Sequence, residues 1–227
     1  MTSNPTTIAI VDYGMGNRRS VEKAFLKVGD EIAVKASITA NHEEILEADG
    51  AVIVGVGAFP EAMSRLEERG LADVLRERRR LGLPILGICL GLQMFFQRSE
   101  EHEGAEGLGF LPGTVRKLPS DGHKVPHIGW NQVQWRPDAR LCAGVSEEDS
   151  VFYHLHSFAA YDAVDGDDYF SRPDVAGKTT YSCEFVTAVE EAPLYGVQFH
   201  PEKSSHQGLQ LLRNFVEICS EREPVLL

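Results

Sequence analysis

Residues 87–91 read Gly-Ile-Cys-Leu-Gly and follow the short apolar run Pro84-Ile85-Leu86. A strand that ends in Gly-x-Cys-x-Gly and opens a helix is a nucleophile elbow, a turn so tight that its flanking positions need small residues. Gly87 and Gly91 supply them. Such a turn exposes Cys89 at the top of a sheet, at the first turn of a helix, where the partial positive charge of the helix N-terminus favours thiolate over thiol. The thiolate is the nucleophile, so the pentapeptide points to covalent chemistry. Taken alone, it fits a structural cysteine buried beside two glycines of a βα turn equally well.

The far end of the chain shifts that balance. Residues 194–202 read Leu-Tyr-Gly-Val-Gln-Phe-His-Pro-Glu. Tyr195–Phe199 is strand-like, His200 stands at its C-terminal end, and Pro201 stops the ladder while holding the chain extended. Positions i and i+2 of an extended segment project to one side. Glu202 can therefore reach the imidazole of His200, fix its tautomer and stabilise the imidazolium. These are the base and the orienting group of a triad whose nucleophile would be Cys89. A lone histidine near a glutamate is usually a surface pair. His-Pro-Glu after a buried strand, in a chain that also carries a cysteine elbow, is a more specific signal.

The elements that must hold these residues alternate. Thr7–Asp12 is a β-rich run, and Tyr13-Gly14-Met15-Gly16-Asn17 is a glycine turn. Ser20–Val28 has helical spacing, with Val21, Ala24, Phe25 and Val28 on one face and Gly29 at its end. Ile32–Ala36 reads as a strand, Asn41–Ala48 as a short helix, and Ala51–Val54 as a strand buried on both faces. Helical stretches follow at about 60–69 and 71–81, then the elbow strand and its helix. This βαβα order predicts a mostly parallel sheet with right-handed crossovers. From about Thr114 the texture changes. Strand-like stretches at 114–118, 129–135, 151–162 and 179–190, separated by turn-rich loops, predict antiparallel additions to the central sheet. The chain then runs through Tyr195–Phe199 to a helix at about 208–220. With no repeat, low-complexity stretch or linker, the expectation is one α/β domain over 1–227, its core at about 7–217.

Composition narrows the function classes. The chain has 227 residues, 43% hydrophobic and 25% charged, with a formal net charge of −12. An acidic surface argues against nucleic acid or an anionic membrane as main partner. The cysteines Cys89, Cys142, Cys183 and Cys219 are widely spaced and form no CxxC pair, so neither a zinc site nor a disulfide framework is expected. No metal and no cofactor is called for, and reduced thiols imply an intracellular setting. The N-terminus lacks the charge and apolar run of a secretory signal. The longest apolar run, Ala51–Phe59, falls far short of the roughly 20 residues of a membrane span. The expectation is a cytoplasmic protein. Gly14-x-Gly16 lacks the third glycine of a dinucleotide loop, since Arg19 stands there, so a plain βα turn is the better reading. Arg78-Arg79-Arg80 reads as a solvated helix end.

Gly87-Ile-Cys-Leu-Gly-Leu-Gln93 together with Gln198-Phe-His-Pro-Glu202 resembles the class I, or triad, glutamine amidotransferases. Four further motifs are similar to the glutaminase subunits of imidazole glycerol phosphate synthases within that class. They are Asp12-Tyr-Gly-Met-Gly-Asn17, Gly55-Val-Gly-Ala-Phe59, Pro126-His-Ile-Gly-Trp-Asn131 and His200-Pro-Glu-Lys-Ser-Ser205. The matches run from about residue 7 to 215.

The resemblance implies that glutamine is hydrolysed to glutamate. The ammonia would pass to a separate (β/α)8-barrel cyclase subunit, which makes imidazole glycerol phosphate and AICAR in histidine biosynthesis. It implies Cys89 as nucleophile, His200 as acid and base, and Glu202 as its orienting group. Leu90 N–H, just after the nucleophile, would be one oxyanion donor by elbow geometry. A second is implied from Gly55-Val56-Gly57, whose flanking glycines would let the Val56 peptide rotate. Gln93 and Glu101 match positions that bind the glutamine backbone, with Glu101 as counter-charge for the α-ammonium, and the main chain of His156-Ser157-Phe158 would add contacts. For Glu101 the plainer reading is a solvated charge in Glu100-Glu101-His102-Glu103. Trp130, Asn131, Tyr153 and Lys203 are implied at the docking face for the barrel, against the plainer reading of Trp130 as a core aromatic and Lys203 as a solvated charge.

Two positions depart from the family's pattern. Val54 stands where proline usually precedes Gly-Val-Gly, and His154 replaces an apolar or aromatic residue. His154 is open to three readings: a partner contact, a core histidine or a neutral substitution. The competing functions are a glutaminase serving anthranilate or GMP synthesis, a free-standing γ-glutamyl hydrolase, and a catalytically dead scaffold. The Pro126–Asn131 motif and Lys203 oppose the first, and the intact Cys89, His200 and Glu202 oppose the last.

Overall fold

The computed structural model describes residues 4–161 and 172–221. Eight strands form the central sheet: β1 (Thr6–Val11), β2 (Val34–Thr39), β3 (Gly50–Gly55), β4 (Ile85–Cys89), β9 (Gln134–Trp135), β12 (Val175–Thr180), β13 (Glu184–Glu191) and β14 (Leu194–Val197). Their order is β2-β1-β3-β4-β14-β13-β12-β9. The first five run parallel, and β13, β12 and β9 add on in antiparallel fashion. This is the expected α/β architecture. Every residue of β3 and β4 is buried, as continuous apolar strands covered on both faces must be.

Helices complete the layers. On one face α1 (Arg18–Val28) turns Val21, Phe25 and Val28 toward Leu211, Leu212 and Phe215 of α6 (Ser205–Ser220) and the strands beneath. The other face is covered by α2 (His42–Glu47), α3 (Phe59–Glu68) and α4 (Leu71–Arg80). Asn41 starts α2 by accepting from the backbone N–H groups of Glu43 and Glu44, the bonding expected of an N-cap side chain.

The structure revises several boundaries. The second strand begins at Val34 rather than Ile32. The helix after the elbow, α5 (Leu90–Gln93), is a single turn, because Phe96 enters an unexpected strand. That strand, β5 (Phe96–Ser99), pairs with β6 (Ala105–Glu106) and β7 (Leu111–Lys117), and β11 (Phe158–Ala160) completes a four-stranded sheet. The expected strand at 129–135 divides into β8 (His127–Gln132) and β9, which join different sheets. The stretch 151–162 likewise divides into β10 (Val151–His156) and β11, and Asp162 lies outside the described residues. The strand expected at 179–190 is a hairpin, β12 and β13.

Arg78 is not solvated. It is fully buried, and its guanidinium donates to the carbonyls of Ile45, Ala48 and Pro84. It serves as a bracket for the end of α2 and the approach to β4. Arg79 donates to the Phe110 carbonyl and stacks on that ring, and only Arg80 follows the expected pattern, paired with Glu77 at the surface.

Candidate active site

The site lies beyond the carboxyl ends of β3, β4 and β14, where parallel sheets place ligands. Register sets it. Gly55 is opposite Cys89 across β3 and β4, so Val56 and Gly57 emerge beside the nucleophile. Cys89 has φ +55° and ψ −110°, the strained turn of an elbow. A Cβ on Gly91 would lie 2.0 Å from the Ile53 carbonyl oxygen, and one on Gly87 would lie 2.7 Å from Leu92 N. Both glycines are therefore required by the close approach of backbone.

Besides His200, Cys89 Sγ meets the Leu155 carbonyl at 3.8 Å and Gln198 Nε2, which donates to it at 3.7 Å. With α5 one turn long, little helix dipole reaches the sulfur, and these groups together with His200 shape its surroundings. His200 Nδ1 donates to Glu202 Oε1 at 3.0 Å, and both side chains are fully buried. The other ring nitrogen, Nε2, has no well-formed hydrogen bond among the described residues. The group acting on that side is Cys89. Burial is the largest single influence on His200 and opposes its charge. The charge and hydrogen bonding of the Cys89 thiolate, reinforced by Glu202, outweigh it and raise the His200 pKa to about 10. This arrangement favours the charged form of His200.

The backbone of His200 is equally fixed. Its N–H donates to the Tyr153 carbonyl at 2.9 Å, and its carbonyl accepts from Ser204 Oγ at 2.6 Å. Ser204 Oγ in turn accepts from Tyr153 N at 2.9 Å. The oxyanion strand is held from the glycine turn after β1. Tyr13 OH donates to the Val54 carbonyl at 3.1 Å. Burial first, and the Cys89 charge second, push the Tyr13 phenol up and keep it a donor.

A cavity of about 250 Å³ is lined by Val56, Gly57, Cys89, Leu90, Gln93, Glu101, Leu155, His156, Ser157 and Phe158. It is smaller than the ~300–1,000 Å³ of drug-sized sites, the class of a single amino acid. Every oxyanion and substrate residue expected from the sequence lines it. Glu101 is not a solvated charge. Its Oε2 accepts from Phe59 N at 2.7 Å, at the first turn of α3, while Glu100 pairs with Arg116. Both amide protons of Gln93 serve the wall, one to the Phe158 carbonyl at 2.7 Å and one to Gln198 Oε1 at 3.1 Å.

The expected docking residues cluster beside this site. Trp130 and Tyr153 face each other across β8 and β10 with ring centroids 6.2 Å apart, and Lys203 Nζ lies 5.8 Å from the Tyr153 ring. Trp130 is 52% exposed, so it is not a core aromatic. Asn131 differs. Its amide turns inward, to the Thr180 carbonyl and to His127. His154 is fully buried and is a core histidine, not a partner contact. Sequence reasoning missed Gln198, Leu155 and the structural role of Tyr13. For Gln198 a signal existed: it stands two residues before His200 and shares its side of the extended chain.

Residues 9–219 match the family described as glutamine amidotransferase class-I. The fold is similar to a solved chain from Thermoplasma acidophilum assigned to GMP synthase. The TM-score is 0.69 and the identity 22%, over 97% of this chain and 96% of that one. A second solved structure, described as a glutamine amidotransferase, has a TM-score of 0.66 and 16% identity, over 93% and 98% of the two chains. The chain belongs to the class I glutamine amidotransferases. Within that class its family is that of imidazole glycerol phosphate synthase subunit HisH. It is 46% identical to the protein of that name from Bacillus cereus (strain G9842) over 210 residues, which cover 92% of this chain and 93% of the relative. It is 44% identical to that from Moorella thermoacetica over 211 residues, covering 93% and 94%.

Proposed function

We propose that this chain, acting as a single amidotransferase domain, hydrolyses glutamine at Cys89 and delivers the ammonia to a separate (β/α)8 cyclase subunit. The observation that carries this reading is the placement of Cys89 on the elbow, against His200 and on the wall of an amino-acid-sized cavity. The Cys89 thiolate attacks the side-chain amide carbon of glutamine, and the carbonyl oxygen takes the negative charge. Leu90 N–H and a peptide N–H of Val56-Gly57 receive that oxyanion. Losing one such donor typically costs about 10²–10³ in rate. His200, as imidazolium, gives its proton to the departing nitrogen, and ammonia leaves a γ-glutamyl thioester. The neutral imidazole then takes a proton from water, the hydroxide attacks the thioester, and glutamate departs as the thiolate re-forms. Glu202 keeps the ring oriented through both steps. Glu101 faces the substrate ammonium, and Gln93 with the main chain at 156–158 completes the pocket.

The docking face in this reading is Trp130, Asn131, Tyr153 and Lys203, and no nucleic acid or membrane partner is involved. Among the described residues no helix is long and apolar enough to cross a membrane. We place the enzyme in the cytoplasm, which suits the free state of Cys89, Cys142, Cys183 and Cys219. The test is a glutaminase assay of the pure chain, with and without the cyclase subunit plus its ligand. Turnover should be weak alone and rise at least about tenfold on docking, roughly 1.4 kcal/mol of barrier. Full-speed hydrolysis by the isolated chain, with no co-elution with the cyclase subunit, would make it a free γ-glutamyl hydrolase.

A further inference from the structure

A row of side-chain contacts runs from β8 to the nucleophile, and the steps above do not use it. Asn131 Nδ2 lies 3.3 Å from His127 Nε2, His127 Nδ1 lies 3.2 Å from His156 Nε2, and His156 Nδ1 lies 3.0 Å from the Phe158 carbonyl oxygen. The same carbonyl receives Gln93, which bonds Gln198, which donates to Cys89 Sγ. The half-exposed Asn131 is thereby joined to the pocket wall and the sulfur by consecutive contacts.

The donors in this row are determined. A carbonyl oxygen can only accept, so His156 carries its proton on Nδ1. Its Nε2 must then accept, which places the His127 proton on Nδ1 and leaves His127 Nε2 to accept from Asn131. The Asn131 amide is itself oriented, since Nδ2 donates to the Thr180 carbonyl at 3.0 Å and Oδ1 accepts from Gln132 N at 2.8 Å. Only neutral rings satisfy the whole row. Burial supplies that condition, pushing His127 down to about 4 and His156 well below the usual histidine range, the latter with help from His154 and His127. The plane of His127 is fixed by two stacked rings, Tyr181 at 4.0 Å and His154 at 4.8 Å between centroids. His154 is anchored in turn by the Phe152 carbonyl at 3.0 Å and Thr187 Oγ1 at 3.1 Å.

We propose that His127 and His156 are positioning residues that tie the Ser157–Phe158 wall of the glutamine pocket to Asn131, the neighbour of Trp130 on β8 whose side chain turns inward. A disturbance at Asn131 is then felt as weaker glutamine binding, separately from the oxyanion strand. The kinetic consequence rests on the glutaminase reading of the pocket; the proton positions do not.

The test has two arms on the full chain. In ring ¹⁵N NMR between about pH 6 and 8, both His127 and His156 should show a protonated Nδ1 and a bare Nε2, and Asn131→Ala should move the His127 Nε2 resonance. In glutaminase assays at saturating cyclase subunit, His127→Phe should raise KM for glutamine about fivefold with kcat within about twofold, the size expected for one lost hydrogen bond. His127→Asn, whose Nδ2 stands where the ring Nδ1 stood, should restore KM to within about twofold of the parent. Asn131→Ala should raise KM about two- to threefold; being half-exposed, it carries the kinetic arm if His127→Phe does not fold. An Nε2–H tautomer on either ring, an unmoved KM in the folded variants, or a His127→Asn protein as impaired as His127→Phe overturns the proposal. Absence of glutamine turnover in the parent complex would instead overturn the functional reading, with the tautomers deciding the row by themselves.

Discussion

Glu202 Oε1 accepts from His200 Nδ1 at 3.0 Å in a setting from which both side chains are wholly excluded from water. The second carboxylate oxygen, Oε2, is buried with no hydrogen-bond partner among the described residues. The imidazolium is thus the main counter-charge of this carboxylate, and breaking such a pair leaves an uncompensated charge. His200→Asn should lower glutaminase kcat at least about 10³-fold. Glu202→Gln, which keeps the shape but weakens orientation, should cost less, about 10–10²-fold. Steady-state kinetics of the complex decide it, and an unchanged kcat in His200→Asn would falsify the triad.

Cys89→Ala should abolish glutamine hydrolysis while the reconstituted complex still runs its cyclase reaction on added ammonium salts. Cys89 only releases ammonia and never meets the second substrate. Equal loss with both nitrogen sources would give Cys89 a structural role instead.

The raised pKa of His200 has a testable origin. Removing the sulfur in Cys89→Ala leaves burial opposed by Glu202 alone, so the His200 pKa should fall well below about 10. A group whose folded pKa lies above its unfolded value contributes stability that is complete below about pH 6.5 and is lost as pH rises through the folded value. The parent chain should lose stability between those limits, and Cys89→Ala should lose less over the same alkaline range. Histidine NMR titration and urea melts at several pH values measure the two effects.

Lys203 Nζ stands 5.8 Å from the Tyr153 ring, within cation–π range and beside the exposed Trp130. Lys203→Ala and Trp130→Ala should reduce stimulation by the cyclase subunit, or the transfer of ammonia, at least about fivefold. The thermal midpoint should barely move, because surface changes typically cost within about 0.5 kcal/mol. Stimulation intact in both variants would place docking elsewhere.

Arg78→Met should destabilise the fold by about 2–4 kcal/mol without touching the site, since it strips donors from several buried carbonyls. The expected phenotype is a lowered urea midpoint with parental kcat at low temperature. A midpoint within error of the parent would mean that water replaces the guanidinium.

Much was legible in the sequence because it depends on local rules. The elbow is written in Gly87 and Gly91, the His200–Glu202 pair in the two-residue period of an extended chain, and the parallel half of the sheet in alternating apolar runs. Tertiary structure decided what depends on partners distant in the chain. Whether Arg78 meets water or carbonyls was settled by the packing of α2 and β4 around it, since a basic run at a helix end looks the same in either case. The splits at Val133 and Ser157 arise because one apolar stretch serves two sheets, and side-chain alternation alone does not say which edge will accept it. The single turn of α5 follows from the pairing of Phe96 with Leu111, a contact that helix propensity cannot see. The His127–His156 contact joins strands β8 and β10, whose register brings together two imidazoles 29 positions apart. Spacing along one chain carries no information about a hydrogen bond made across a sheet.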